Sequence, residues 1–273
     1  MKARFVMAAM MAAAMASCSK DGEAVMEYQK VRFNIDGLAV DVTPMTRATL
    51  ESEKLTSVEV YDGGVLIASQ SSADDDFGSP ELTLSYGVHD LVFVAHRSEG
   101  ASYSSPVWSA TKVRGTFAKK VSLTVGTTTG AQTIELERKV YQLKVLMTDM
   151  VPATATTADV TLSTYYGGIS FADWSGQGMA SRTTTFDITT LQGKTGQSIS
   201  MYGFCAKDGV EYTSDFSITF KTSTGTTIQQ HEKANIPLQT NYITTLKGNF
   251  FETGSTFSIS VDSEWSGEKE IDL

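Results

Sequence analysis

The sequence predicts an all-β protein of two tandem β-sandwich domains behind a short export segment. Three observations carry that expectation. Short stretches of alternating apolar and polar residues recur along the chain with Gly- or Asp-containing turns between them, which is how strands of a sandwich read. Thr and Ser are abundant, Pro occurs only 5 times, and no long amphipathic helical pattern appears after residue 17, a composition that suits strands. The one long uninterrupted apolar stretch, Phe5 to Met15, stands at the very start.

The strand signals come in two sets. In the first, Leu55 to Val60 and Tyr61 lead into Asp62-Gly63-Gly64, after which Val65, Leu66 and Ile67 resume. Asp-Gly between apolar runs is a hairpin signal, because the tight primed turns need positive φ at their centre. Leu82 and Leu84 alternate up to Tyr86-Gly87, Leu91 to Ala95 form a continuous apolar strand, and Val121, Leu123 and Val125 alternate strictly. The second set begins at Ile134. It continues with Val140 to Met147, Val160 and Leu162, Phe186 and Ile188, then Phe216, Ile218 and Phe220. A Thr/Ser/Gly turn at Thr222 to Thr226 precedes Ile228, and Tyr242, Thr244, Leu246 and then Phe257, Ile259, Val261 close the series. The Thr/Gly stretch near residues 126–134 divides the sets, so the expected units are residues 31–130 and 131–273.

The first eighteen residues read as an address. Lys2 and Arg4 precede eleven apolar residues, and Met15-Ala16-Ser17 places small residues before Cys18. A spanning helix needs ~20 apolar residues, whereas a shorter run behind a basic start is a cleaved signal peptide. Residues 1–17 are therefore the expected signal and residues 18–30 a tether. Removing residues 1–17 takes away Lys2 and Arg4 and no acid, leaving 20 basic against 31 acidic residues. That balance opposes nucleic acid, whose affinity comes from Lys and Arg neutralising phosphates. It equally opposes docking on anionic lipid through a basic surface.

Signals of chemistry are sparse, and the expected catalytic, metal and cofactor sites are none. Cys205 lies in the apolar run Met201 to Ala206 and reads as a small buried hydrophobe. His89 and His96 stand seven apart and His231 far away; on a regular strand the first two face opposite sides. Asp74-Asp75-Asp76 lacks the spaced carboxylates and Gly of a calcium loop and reads as a solvated hairpin tip. No G-x-S-x-G, H-E-x-x-H or P-loop motif occurs. Of Trp108, Trp174 and Trp265, Trp174 sits in the polar loop Phe171 to Gly176. It is the residue best placed to stack on a ligand, although packing is the favoured reading for all three.

Four segments together resemble the fimbrillin family of the Bacteroidales, the major- and minor-fimbrium pilins and their relatives. Met15-Ala16-Ser17-Cys18 is similar to a bacterial lipobox. Leu82 to His96 is similar to the family's L-x-L-x-x-G-x-Y-x-L-x-x-x-A segment, with His89 in place of Tyr. Ile134 to Val145 is similar to the start of the family's second domain, with Tyr141-Gln142 for Ala-Lys. Leu246 to Phe251, followed by residues 257–261 and Trp265, is similar to its closing hairpin.

The resemblance implies two transthyretin-like β-sandwich domains and a structural, anchor or accessory role in fimbriae at the cell surface. It implies lipidation of Cys18, hence attachment to the outer membrane through that lipid, and the polar Ser19 to Glu23 is similar to a surface-export tag. It also implies partnership with other fimbrial subunits by donor-strand insertion. In shaft subunits of the family a protease cuts behind an arginine and removes the first strand. Here Val31 to Val42 is the matching strand and Arg47–Ala48 the matching bond. The alternative function is a surface glycan- or ligand-binding lipoprotein that uses Trp174.

Overall fold

The computed structural model describes residues 26–36, 54–252 and 257–262, and apart from one 3-10 turn at Thr189–Leu191 every regular element among them is a strand. In chain order the first ten are β1 (Tyr28–Asp36), β2 (Ser57–Asp62), β3 (Val65–Ser71), β4 (Glu81–Ser85), β5 (Gly87–His96), β6 (Glu99–Ser104), β7 (Val107–Lys112), β8 (Thr116–Val125), β9 (Gln132–Glu135) and β10 (Glu137–Arg138). The rest are β11 (Tyr141–Met147), β12 (Thr157–Tyr165), β13 (Gly168–Ser170), β14 (Gly176–Gln177), β15 (Ala180–Asp187), β16 (Gln197–Gly203), β17 (Tyr212–Lys221), β18 (Thr227–Leu238), β19 (Ile243–Gly248) and β20 (Phe257–Asp262). The protein is all-β, as expected.

Two sheets make the first sandwich. A three-stranded sheet of order β4-β1-β9 faces a five-stranded sheet of order β10-β8-β5-β2-β3. Alternation explains the facing sides: Val31, Phe33 and Ile35 of β1, with Leu82 and Leu84 of β4, meet Val58, Val60, Leu91 and Phe93 in one core. The β2–β3 hairpin turns at Gly63 and Gly64, with φ of 53° and 83°. Only glycine adopts such angles freely, which is why the Asp-Gly-Gly signal is a reliable one.

The second sandwich pairs the four-stranded sheets β16-β11-β19-β20 and β15-β12-β17-β18. Leu143, Val145 and Met147 of β11 face Val160, Leu162, Phe216, Ile218 and Phe220 across its core. Asp149 fixes one end of it, where its carboxylate accepts the backbone N–H groups of Phe250, Phe251 and Glu252 at 3.0, 2.6 and 3.2 Å. The strands after residue 131 do not all turn to this sandwich. β9 pairs in parallel with β1, and β10 pairs with β8, so the chain crosses over at Lys139 and Val140, later than the Thr/Gly turn suggested.

A fifth sheet, of order β14-β13-β7-β6, is missing from the sequence reading. Its strands are short and rich in Ser, Gly and Thr, so they show little alternation. It joins the two halves: Ile169 of β13 pairs with Trp108 of β7. It also covers the second face of the five-stranded sheet, where Tyr61, Val92 and Val94 pack with Trp108, Ile169 and Phe171. That is why Leu91 to Ala95 are apolar without interruption: β5 is buried on both sides.

Candidate functional site

The distinctive feature of the first sandwich is the place of β1. It is the central strand of its sheet, antiparallel to β4 over Tyr28 to Arg32 and parallel to β9 over Phe33 to Asp36. Contact with the preceding segment continues where Phe33 N–H and Ile35 N–H donate to Pro80 O and Gly78 O, both at 2.9 Å. Val31 and Phe33 are fully buried and Ile35 is 8% exposed, while Tyr28, Lys30 and Arg32 point outward as alternation requires. The Phe33 and Phe93 ring centroids lie 5.0 Å apart. Without β1, β4 and β9 would face each other across an empty slot with three apolar pockets and two rows of unpaired backbone groups.

The expected first strand thus exists, and it begins at Tyr28, so the last three residues of the expected tether are already strand. Residues 38, 40 and 42, expected in the same strand, lie outside the described residues, as do Cys18, Arg47, Ala48 and Trp265.

Trp174 is described. It has φ of 59° and lies against Phe171 at 5.8 Å between centroids. The Lys139 ammonium sits 4.8 Å from its ring centroid. That ammonium is itself buried and bridges Asp208 at 2.7 Å and Glu137 at 2.9 Å. One face of the indole is therefore occupied by the chain crossover between the sandwiches. Trp108 is wholly buried and donates its Nε1–H to Glu59 at 2.9 Å.

The histidines separate as strand geometry requires. His89 points to the β1 side of the five-stranded sheet and His96 to the opposite face, edge-on to Trp108 at 5.1 Å. His96 Nε2 is 3.7 Å from Glu59 Oε1, too long for a hydrogen bond. Burial pushes the Glu59 carboxyl up, and the neighbouring His96, Tyr61 and Trp108 groups more than offset it, leaving it below the usual range.

His89 stands between Ser85 and Asp62 in an order that superficially matches a hydrolytic triad. Its Nδ1 is 2.6 Å from Asp62 Oδ2, and its Nε2 is 3.5 Å from Ser85 Oγ but 2.9 Å from the Ser85 carbonyl oxygen. A carbonyl only accepts, so Nε2 carries a proton and cannot serve as the base for the serine hydroxyl. Burial lowers the His89 pKa, and the bonds to Asp62 and Ser85 O outweigh it, so the net shift is upward. His89 is an imidazolium clamp across the strand ends.

Cys205 is buried, and burial raises its thiol to about 12, so it is no nucleophile at neutral pH. Among the described residues no group of three or more His, Cys, Asp or Glu side chains is gathered for a metal ion.

The fold is an all-β arrangement of packed sheets whose first strand lies at the centre of its sheet. The chain belongs to a family of unknown function, DUF6562, whose model matches residues 73–273. No curated protein matches the sequence.

Among solved structures, the chain is similar to a Bacteroides thetaiotaomicron protein described provisionally as polysaccharide-binding (DUF1812). The two are 12% identical with a TM-score of 0.51, over 89% of this chain and 97% of that one. It is also similar to the fimbrial anchor protein Mfa2 of Porphyromonas gingivalis (11% identity, TM-score 0.42, 86% and 97% coverage). The tip fimbrial protein Mfa3 of the same organism, with C-terminal truncation, matches at 11% identity and a TM-score of 0.40, over 86% and 99%.

Proposed function

We propose that the protein is a fimbrial structural, anchor or accessory subunit of the cell surface, held to the outer membrane by lipid on Cys18 and assembling by β-strand exchange. One observation carries the reading: the first strand of the mature chain is the centre of a sheet rather than its edge. An edge strand can be lost with little consequence. A central one leaves a slot whose backbone groups and pockets accept only another extended strand. The chain carries a matching pattern at its other end. Phe257, Ile259 and Val261 of β20 repeat the alternation of Val31, Phe33 and Ile35, and among the described residues β20 pairs with β19 alone. In this reading β20 or a strand like it, from another subunit, takes the place of β1.

Thr46-Arg47-Ala48 follows β1 in sequence. Cutting there would free the plug together with the lipid, whereas an uncut chain remains a permanent anchor. The N-terminal mass of the mature protein from outer membranes tests the scheme. Acylated Cys18 identifies an anchor or accessory subunit and Ala48 a polymerising one. Deletion of residues 255–273 is expected to abolish boiling-resistant ladders of the polymerising form. Unchanged ladders would overturn exchange through β20.

A second reading is that of a surface glycan-binding lipoprotein. It is supported by the exposed side of the Trp174 loop, and loss of glycan binding in Trp174→Ala tests it.

A further inference from the structure

Three segments converge where the chain passes from one sandwich to the other. Lys139 stands at the crossover, the ring of Trp174 covers its ammonium at 4.8 Å, and the turn after β16 brings Asp208 to it. Each piece is pinned. Trp174 N–H donates to Ser170 O and Gly176 N–H to Cys205 O, both at 2.9 Å, and Val210 N–H closes the Asp208 turn on Lys207 O at 3.2 Å. Gln239 Nε2 donates to Gly209 O at 3.2 Å. A long flexible lysine is thereby held in one place at 3% exposure.

Its partners are set as reactants rather than as a solvated ion pair. Lys139 Nζ lies 2.7 Å from Asp208 Oδ2 and 2.9 Å from Glu137 Oε2. Asp208 Cγ is one bond beyond Oδ2, which brings Nζ to the edge of the near-attack range of about 3–3.5 Å. Taking an ammonium and a carboxylate out of water costs much of what their attraction returns. An amide joining the two side chains carries no charge, so burial favours it over the separated ions. The second carboxylate touches the same nitrogen, where a proton has to leave.

We propose that Lys139 and Asp208 join covalently, as an isopeptide bond between Nζ and Cγ with Glu137 as the proton relay. Nζ bonds to Cγ and one Cγ–O bond breaks. Of the three Nζ protons, one stays as the amide N–H and two depart with that oxygen as water. The ammonium and carboxylate charges cancel, and Glu137, which takes a proton from Nζ and hands it to the departing oxygen, ends as it began. No oxidant or activating group enters. The water leaves past Asp208, whose side chain is 25% exposed. The bond would close a loop between residues 69 apart in sequence and tie the crossover to the second sandwich. It is independent of β1 and of strand exchange.

The test is tandem mass spectrometry of the full-length chain, extracted in detergent, unfolded in urea and digested with trypsin. Cleavage after Arg138, Lys144, Lys207 and Lys221 should leave residues 139–144 and 208–221 as one joined peptide, lighter than the pair by one water, and no free 140–144. Joining is expected in the parent chain and lost in Asp208→Ala. The parent answers by itself, whether or not a variant folds. Separate peptides in the parent overturn the proposal. Loss of water confined to 208–221 shows a cyclic imide at Asp208–Gly209 and overturns it too. In Glu137→Gln the rate of joining should drop about a hundredfold or more, and an unchanged rate overturns the relay.

Discussion

Truncating Phe33 to alanine is the sharpest measure of how firmly β1 is held. The side chain is fully buried and its ring lies 5.0 Å from that of Phe93. Removing a buried Phe costs about 3–5 kcal/mol, cavity included, and an aromatic pair adds about 0.5–1.5 kcal/mol beyond burial. A value near 4 kcal/mol is expected. With urea slopes of about 1–3 kcal/mol per M, the midpoint for unfolding the first sandwich should fall by about 2 M. Near-ultraviolet circular dichroism of the signal-less chain in urea would read it. Tyr28→Ala serves as the control, because Tyr28 lies on the same strand but is 58% exposed, and such surface changes stay within about 0.5 kcal/mol. A midpoint for Phe33→Ala no lower than that of Tyr28→Ala would show that β1 is not seated as described. The same arithmetic bears on exchange. Burial of Val31, Phe33 and Ile35 is worth about 1.5–3 kcal/mol each, a sum comparable with the whole stability of a domain, about 5–15 kcal/mol. A cleaved subunit should therefore be kept waiting only briefly without a replacement strand.

Three more outcomes follow from the clamps. Asp149→Ala should cost about 2–4 kcal/mol, since three backbone donors at Phe250 to Glu252 lose a charged acceptor, and thermal unfolding would measure it. The His89 pKa is raised in the fold. Its contribution is thus complete below the unfolded value near 6.5 and is lost as pH climbs through the folded value. His89→Gln should flatten stability against pH in that window, and an unchanged profile counts against the clamp. Cys205, pushed up to about 12, should resist iodoacetamide in a native chain begun at Ser19 and alkylate fully in urea, as read by intact mass.

Much of this architecture is written in local alternation. Leu82 and Leu84, and Phe216 to Phe220, announce strands because one face of each is core and the other turns toward water. The Asp62-Gly63-Gly64 turn announces itself because its positive φ angles favour glycine. What could not be read is whatever depends on distant pairing. Nothing near Phe33 says that it lies beside Gln132, about a hundred residues on. The bridging strands β6, β7, β13 and β14 escape notice because Ser, Gly and Thr carry no hydrophobic period, although Trp108 and Phe171 within and beside them are core residues. The setting of Arg182 was hidden for a related reason. Arg182 in Ala180–Asp187 looks like any surface arginine until the pairing of β15 with β12 turns it inward. His89 likewise became a clamp only when two strand ends met.

The β7–β13 ladder gives the protein a mechanical character. Two sandwiches joined by a single crossover at Lys139 and Val140 would swing, as linked domains ordinarily do. Here Val107 to Ser109 are stitched by backbone bonds to Gly168 to Ser170, and the buried Lys139 is tied to Asp208 on the far side. A load applied at one end and resisted at the other is then shared by a short ladder as well as by the covalent chain. Bending requires breaking several hydrogen bonds at once. The joint between the two halves is therefore a stiff one rather than a free hinge.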